Sequence, residues 1–131
     1  MNISTSKVSD DTFIFYKSDI PKNFENFSEE IQDIGYIQFV IDEDDCVHLV
    51  YMFVHPEQRG KGLGENLLKL MFSYCIHKMK DKGISMFDIF LDDMSDRYGQ
   101  THNIYLKTGF SYDEMESGVP CGPEMTKTIK I

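Results

Sequence analysis

The chain has 131 residues, of which 41% are hydrophobic, so we expect a single domain over residues 1–131 with one hydrophobic core. Its 22 acidic and 13 basic residues give a formal net charge of −9, which disfavours nucleic acid as a partner because phosphate binding needs clustered lysine and arginine. No run reaches the roughly 18 apolar residues of a membrane span, and Met1–Asp11 lacks the features of a signal peptide, so we expect no membrane association and a cytoplasmic location.

The first half of the chain predicts mainly strands. Thr12–Lys17 alternates in hydrophobicity and predicts a strand, whereas the apolar residues of Asn23–Asp33 recur at helical spacing and predict a short helix. Gly35–Ile41 and Cys46–Val54 are rich in β-branched and aromatic residues and are separated by the acidic residues Asp42–Asp45. These two runs therefore predict an antiparallel hairpin with a solvated acidic turn.

The second half predicts a long helix followed by shorter elements. Apolar residues from Leu63 recur every three or four positions, which predicts an amphipathic helix to about Lys82, with Gly83 as its stop. A strand, a helix capped by Ser95 or Asp96, and two closing strands follow; their expected ranges are Ile84–Leu91, Arg97–Lys107, Phe110–Met115 and Met125–Ile131. This order predicts a mixed α/β fold. The alternating last strand suits a sheet edge that could support a homodimer.

The cysteines and most of the histidines indicate no special chemistry. The cysteines are three in number and far apart, so neither a disulfide framework nor a metal site is expected; they are Cys46, Cys75 and Cys121. Three histidines lack metal-ligand spacing and are interpreted as surface residues; they are His55, His77 and His102. We therefore expect no bound metal.

A glycine-rich segment lies between the strand ending at Val54 and the helix starting near Leu63. Three glycines fall within five residues there, which allows the backbone to approach a ligand closely. The free N–H groups of the first helical turn then point at that ligand with the positive end of the helix dipole behind them. Arg59 and Lys61 bring cations to the same place. The segment therefore predicts a diphosphate-binding loop.

Spacing distinguishes three kinds of phosphate loop. A P-loop has Ser or Thr after its Gly-Lys pair, but here residues 60–61 are followed by Gly62. A dinucleotide fingerprint needs glycine at its third position, where this chain has Glu65. The remaining pattern, Arg59-x-x-Gly62-x-Gly64, matches the (Gln/Arg)-x-x-Gly-x-(Gly/Ala) motif of the GNAT N-acetyltransferase family, which the chain resembles.

A second motif strengthens this resemblance. Residues 105–110 (YLKTGF) are similar to the Tyr-x-Lys-x-Gly-Phe signature of the same family, and the resemblance extends from about Gly35 to the C-terminus. It implies a single-domain fold with a central, mostly antiparallel twisted sheet flanked by helices and a shortened N-terminal region. It also implies acetyl-CoA as co-substrate, without a metal.

The resemblance further implies roles for individual residues. Tyr105 would be the general acid that protonates the leaving thiolate, since a phenol can donate a proton to a thiolate of similar pKa. His48 is a candidate base, with Asp92 and Asp93 as rival bases or amine-binding carboxylates. The residues implied to bind the cofactor are Met52, Phe53, Val54, Arg59, Gly60, Lys61, Gly62, Leu63, Gly64, Asn103 and Lys107.

Two further expectations concern these residues. Alternation along the strand places His48, Val50, Met52 and Val54 on one face. Many family members carry an asparagine seven residues before the tyrosine, where this chain has Tyr98, so Asn103 is expected as a substitute.

The implied reaction is transfer of an acetyl group from acetyl-CoA to a primary amine. The net charge of −9 favours a cationic acceptor by attraction. A small polyamine or arylalkylamine fits this expectation, and so does a lysine side chain or N-terminus of a basic peptide. The alternative is a non-catalytic acyl-CoA-binding or interaction module on the same fold, because a fold does not guarantee turnover.

Overall fold

The computed structural model describes residues 2–17, 34–95, 97–100, 103–115, 118 and 120–131. Its strands are β1 Asn2–Val8, β2 Asp11–Lys17, β3 Gly35–Ile41, β4 Val47–Val54, β5 Met86–Asp92, β6 Ser111–Glu114 and β7 Pro120–Lys130. Its α-helices are α1 Leu63–Asp81 and α2 Ile104–Lys107, and a 3-10 turn, Pro56–Gln58, follows β4. The helix predicted over Asn23–Asp33 lies outside the described residues.

The seven strands form one sheet in the order β1-β2-β3-β4-β5-β7-β6. Neighbouring strands are antiparallel except for β4 and β5, which are parallel and are joined by the crossover helix α1. The predicted mixed α/β fold with a mostly antiparallel sheet is therefore confirmed. Strand β7 lies between β5 and β6 in this order, but β6 pairs with it only as far as Thr126. Among the described strands, residues 127–130 therefore pair with β5 alone, and the homodimer expected through this segment stays a prediction.

The parallel pair is short. Strands β4 and β5 pair at Val47 with Ile89 and at His48 with Phe90, and no further pairing follows. Residues 49–54 of β4 therefore separate from the end of β5, while they stay paired with β3 on the other side. This separation opens the sheet at the end where α1 begins.

Helix α1 covers one face of the sheet, and its bounds agree with the prediction to within one residue. Its apolar stripe is fully buried against the sheet; the buried side chains are Leu67, Leu68, Met71, Cys75 and Met79. On the sheet, Ile37 and Phe39 of β3 are completely buried in the same core. Burial of these side chains fixes α1, and with it the start of the helix, relative to β4.

The helix predicted over Arg97–Lys107 is wrong for most of its length. Residues 97–100 form a turn in which Gly99 has a φ of 73°, and helical structure begins only at Ile104. Asn103 supplies the reason, because its side-chain oxygen accepts a hydrogen bond from the backbone N–H of Tyr105 and thereby caps α2. The short helix is the element that carries Tyr105.

Two local features complete the fold. The acidic turn of the β3–β4 hairpin is organised by Asp42, whose carboxylate accepts hydrogen bonds from the backbone N–H groups of Asp44 and Cys46. Strand β1 was not predicted, since its sequence, NISTSKV, is polar and lies at the sheet edge. Within the described part of the chain, none of the helices has the length and apolarity of a membrane span.

Candidate active site

A cleft of about 700 Å³ occupies the space where β4 and β5 separate. Most of its lining comes from β4, from the segment that follows it, and from the residues after β5. The lining residues are Leu49, Val50, Tyr51, Met52, Phe53, Val54, Gln58, Arg59, Gly60, Leu63, Gly64, Asp92, Met94, Ser95, Arg97, Ile104 and Tyr105. The cleft therefore joins the glycine-rich segment to Tyr105, although Gly64 and Tyr105 are 41 positions apart in the sequence.

The glycine-rich segment adopts backbone conformations that require glycine. Gly60 and Gly62 have φ values of 82° and 76°, in the left-handed region, and a Cβ at either position would meet no atom within 4 Å. Gly62 is the N-cap of α1 and supplies no side-chain cap. Among the described residues, the backbone N–H groups of Leu63, Gly64 and Glu65 have no hydrogen-bond acceptor. They are available to an anion at the helix N-terminus.

Side chains around this segment hold it in place. Arg59 donates from Nε to the carbonyl oxygen of Val54 at 3.0 Å, and Lys61 donates from Nζ to the side-chain oxygen of Gln58, also at 3.0 Å. Arg59 also lines the cleft, whereas Lys61 is exposed beside it. Both cations belong to the segment that leads into α1, and the carbonyl oxygen of Val54 already accepts a hydrogen bond from Arg59.

Gly64 brings the start of α1 against the strand. A Cβ on this residue would lie 3.2 Å from the Cδ1 atom of Ile104, 3.6 Å from Cε of Met52 and 3.8 Å from Cγ2 of Val54. The close approach places Met52 and Val54 on the α1 side of the sheet. Helix, strand and α2 therefore meet at one point beside the cleft.

Tyr105, on α2, also lines the cleft and is 8% exposed. Its ring packs edge-on against Phe110, with 6.1 Å between the centroids. Burial, followed by the nearby charge of Asp93 and by Tyr51, raises the pKa of Tyr105 to about 12. The phenol therefore keeps its proton at neutral pH and can donate it into the cleft.

Asp93 and Asn103 lie beneath the cleft wall and do not line the cleft. Asp93 is 2% exposed, and its carboxylate accepts hydrogen bonds from the backbone N–H and hydroxyl of Ser95, from the Asn103 amide at 2.6 Å and from the Tyr112 hydroxyl. Asn103 is completely buried. These surroundings suit a positioning group better than a base, and they leave Asn103 without contact to the cleft.

His48 lies on the other side of the sheet from α1. The β3–β4 register shifts between Gln38 and Phe39, so that Val50 is an extra residue in a bulge. This bulge reverses the alternation, and the expected shared face of His48, Val50, Met52 and Val54 is wrong. His48 instead stacks on Phe90, with 5.6 Å between the rings.

A second cavity of about 420 Å³ adjoins the cleft on that side. Its lining residues are His48, Leu49, Phe90, Leu91, Asp92, Asp113, Glu124 and Met125. His48 Nε2 lies 2.7 Å from the carboxylate of Asp42, and this hydrogen bond is the main cause that lowers the pKa of Asp42. Because an ionised Asp42 can only accept, Nε2 of His48 donates, and in the neutral imidazole Nδ1 is then the acceptor.

Asp92 connects the two spaces. It is exposed, and like Leu49 it lines both the cleft and the second cavity. Lys107, which the family resemblance implied as a cofactor contact, instead forms an ion pair with Glu65 at 3.3 Å and does not line the cleft. Of the candidate bases, Asp92 is therefore the one in direct contact with the cleft.

Sequence reasoning missed part of the cleft wall. Leu49, Val50 and Tyr51 belong to the same predicted strand as Met52, Phe53 and Val54, which the resemblance implied as cofactor contacts, so their position had a sequence signal. Three residues after β5 had no such signal, because they follow no periodic pattern and match no motif; they are Met94, Ser95 and Arg97. In the described residues, no group of three or more His, Cys, Asp or Glu side chains is arranged to hold a metal ion.

The ionisation of Asp93 predicts an acid-dependent loss of stability. Burial alone would raise the pKa of Asp93, but hydrogen bonds from Ser95, Tyr112 and Asn103 outweigh it and hold the pKa below its ordinary value. A folded-state pKa below the unfolded one stabilises the fold above about pH 4, and this contribution disappears as the pH falls through the folded pKa. Asp93→Asn should therefore lower the free energy of unfolding by about 2–3 kcal/mol at pH 7.

The difference in the free energy of unfolding between the parent and Asp93→Asn should narrow in urea titrations as the pH falls below about 4, because the unfolded parent then binds a proton at Asp93 before the folded parent does. Asp88→Asn is the matched control, since Asp88 lies on β5 and accepts from the hydroxyl of Thr128 but lines neither cavity. A gap that stays constant from pH 7 to pH 2 would contradict the prediction.

Comparison with known proteins identifies the class of this fold and cleft. A family model described as an acetyltransferase (GNAT) domain matches residues 23–112, which is more than half of the chain. The chain therefore belongs to the GNAT acetyltransferase family, as its motifs predicted. No curated protein sequence matches it.

Solved structures share the fold at low sequence identity. A GNAT-family acetyltransferase from Staphylococcus aureus Mu50 matches with a TM-score of 0.60 and 20% identity over 93% of this chain and 70% of that protein. A GNAT family acetyltransferase from Elizabethkingia anophelis with acetyl-CoA bound matches with a TM-score of 0.54 and 18% identity, over 94% of this chain and 78% of that protein. The PaiA N-acetyltransferase from Thermoplasma acidophilum in complex with coenzyme A matches with a TM-score of 0.56 and 19% identity, over 92% of this chain and 62% of that protein.

Proposed function

We propose that the chain is a single-domain, acetyl-CoA-dependent N-acetyltransferase that acts on the primary amine of a cationic acceptor. The observation that carries this proposal is the cleft between β4 and β5, because it joins the free N–H groups at the start of α1 to the phenol of Tyr105. Family membership supports the acyl transfer. The acetyl-CoA and coenzyme A in two structural neighbours support the donor.

The residues present fit a coenzyme A diphosphate. Leu63, Gly64 and Glu65 offer backbone N–H groups without acceptors, while Arg59 and Lys61 supply positive charge beside them. The open space at Gly60 and Gly62 admits a ligand against the backbone. In this proposal Met52, Phe53 and Val54 bind the donor along the separated part of β4.

Acetyl transfer needs a neutral amine, a polarised carbonyl and a protonated leaving group. Bound acetyl-CoA supplies the thioester. The amine nitrogen forms a bond to the carbonyl carbon, the carbon–sulfur bond breaks, and the amine proton passes to a base. Tyr105 donates its phenolic proton to the leaving sulfur, which matches its buried place in the cleft wall.

The second cavity supports a cationic acceptor. It adjoins the cleft through Asp92 and Leu49, and carboxylates from three elements line it: Asp92, Asp113 and Glu124. No lysine or arginine is among its lining residues. Carboxylates attract an ammonium group and thereby raise its local concentration and its rate of association with the cavity. Asp92, or Nδ1 of His48 through water, then accepts the amine proton.

Release of free CoA over a panel of amines tests the proposal. The panel contains polyamines, arylalkylamines, aminoglycosides and basic peptides, with acetyl-CoA as donor and neutral alcohols as a control. We expect release with at least one cationic amine and none with the alcohols. Binding of acetyl-CoA without transfer to any amine would contradict the proposal and support the non-catalytic acyl-CoA-binding module.

Charge removal in the second cavity tests the acceptor class. Glu124→Gln is expected to raise KM for a cationic amine about tenfold and to leave KM for acetyl-CoA nearly unchanged, because it removes one charge that faces the acceptor alone. Asp88→Asn is the control, since Asp88 lines neither cavity. Equal effects of the two variants on KM would show that net charge, rather than the cavity, attracts the amine.

A further inference from the structure

A hydrogen-bond network, which we call the Asp93 network, lies beneath the cleft wall and is centred on two buried side chains. It consists of Asp93, Ser95, Asn103 and Tyr112, which come from the end of β5, the following segment, the start of α2 and strand β6. The backbone N–H of Asp93 donates to the carbonyl of Pro123 at 2.7 Å, which ties the network to β7 as well. The network therefore connects the central sheet to the segment that carries Tyr105.

Asn103 is the link between Asp93 and Tyr105. Its amide nitrogen donates to Asp93 at 2.6 Å and to the carbonyl of Arg97 at 3.1 Å, while its side-chain oxygen accepts from the backbone N–H of Tyr105 at 2.7 Å. Helix α2 has only four residues, and such a short helix is unstable alone. Its orientation must therefore come from its cap and its packing.

Tyr112 links the network to the cleft wall. Its hydroxyl donates to Asp93 and accepts from the backbone N–H of Gly99 at 2.8 Å, and its ring packs edge-on against Tyr98. The segment that includes Ser95 and Arg97, both of which line the cleft, is thus held at several points. A loss of one bond in the network would therefore loosen the part of the cleft wall that carries Ser95 and Arg97.

We propose that Asp93, acting through Asn103 and Tyr112, is a positioning residue that fixes helix α2 and thereby holds the phenol of Tyr105 at the cleft. This inference rests on the proposed function, in which Tyr105 protonates the leaving sulfur. It replaces the expected roles of Asp93 as a base and of Asn103 as a cofactor contact. The reason is that both side chains are buried and their polar atoms are engaged within the network.

A double-mutant cycle separates positioning from a general loss of structure. Tyr112→Phe keeps the ring but removes the hydroxyl that donates to Asp93 and accepts from Gly99. It is expected to lower kcat about tenfold, because small displacements of a catalytic group are costly. In a Tyr105→Phe background, the same change should cause no further loss. Equal losses in both backgrounds would overturn the proposal. Tyr74→Phe, which removes a tyrosine hydroxyl on α1, is the matched control.

A spectroscopic measurement tests the same point without activity. In protein labelled with ¹³C at tyrosine Cζ, the Tyr105 signal is assigned by its absence from Tyr105→Phe. We expect this signal to shift or broaden in Tyr112→Phe and in Asp93→Asn. In Asp93→Asn the pKa of Tyr105 should also fall, because burial and the Asp93 charge are its two main causes of elevation.

The two measurements distinguish the inference from the proposed function. An unchanged Tyr105 signal in both variants would overturn the positioning role, whatever the activities show. A signal that moves while Tyr105→Phe retains full activity would support positioning and would contradict the acid role of Tyr105. Asp88→Asn, on the same strand, is the control for loss of a carboxylate and should leave the signal in place.

Discussion

Tyr105→Phe is expected to lower kcat for acetyl transfer about 100-fold, since general acid catalysis contributes at least that much in typical enzymes. The substitution removes the hydroxyl and leaves the ring, so the packing against Phe110 and the capped helix α2 are retained. The dissociation constant for CoA should therefore stay close to that of the parent. Steady-state CoA release and calorimetric binding of CoA measure the two quantities.

The pH dependence provides a second check on the same residue. Burial is the main cause that raises the pKa of Tyr105 to about 12, so its proton stays bound through the neutral and mildly alkaline range. An alkaline fall in kcat between about pH 8 and 10 would therefore not arise from this phenol. Tyr74→Phe is the matched control, since it removes a tyrosine hydroxyl on α1 and Tyr74 does not line the cleft. A Tyr105→Phe variant with parental kcat would rule out the acid role.

The diphosphate loop and helix α1 could be predicted from the sequence because their signals are local. A period of three to four residues marked α1, whose observed bounds are Leu63–Asp81. The glycines before it indicated backbone conformations closed to other residues, and Gly60 and Gly62 have positive φ values. Such features depend on neighbours in the chain, so one sequence is sufficient to recognise them.

Features that depend on distant contacts could not be predicted. The bulge at Val50 arises from the pairing of β4 with β3, and it reverses the faces of residues 51–54 relative to His48 and Leu49. Likewise, Ser95 or Asp96 was the expected helix cap, whereas Asn103 caps α2, and its side-chain amide donates to Asp93, ten residues earlier in the chain. Tyr112, 19 residues from Asp93, carried no sequence signal at all.

Gly35→Ala is expected to lower the free energy of unfolding by about 2–3 kcal/mol, because it would overpack a rigid part of the sheet. An added Cβ would lie 2.8 Å from the carbonyl oxygen of Phe53 and 3.3 Å from Cα of Val54, and both are backbone atoms that cannot rotate away. Since Phe53 and Val54 line the cleft, binding of CoA should weaken as well. Urea unfolding and calorimetry measure the two effects.

Gly64→Ala is the matched variant for Gly35→Ala, since it adds the same methyl group at the same end of the sheet. Its Cβ would meet only side-chain ends, of which Cδ1 of Ile104 at 3.2 Å is the nearest. These ends can move by a few tenths of an ångström, and alanine suits a helix better than glycine does. The free energy of unfolding should therefore change by less than about 1 kcal/mol. Equal losses of stability in the two variants would show that the contact with the β4 backbone is not what excludes a side chain at Gly35.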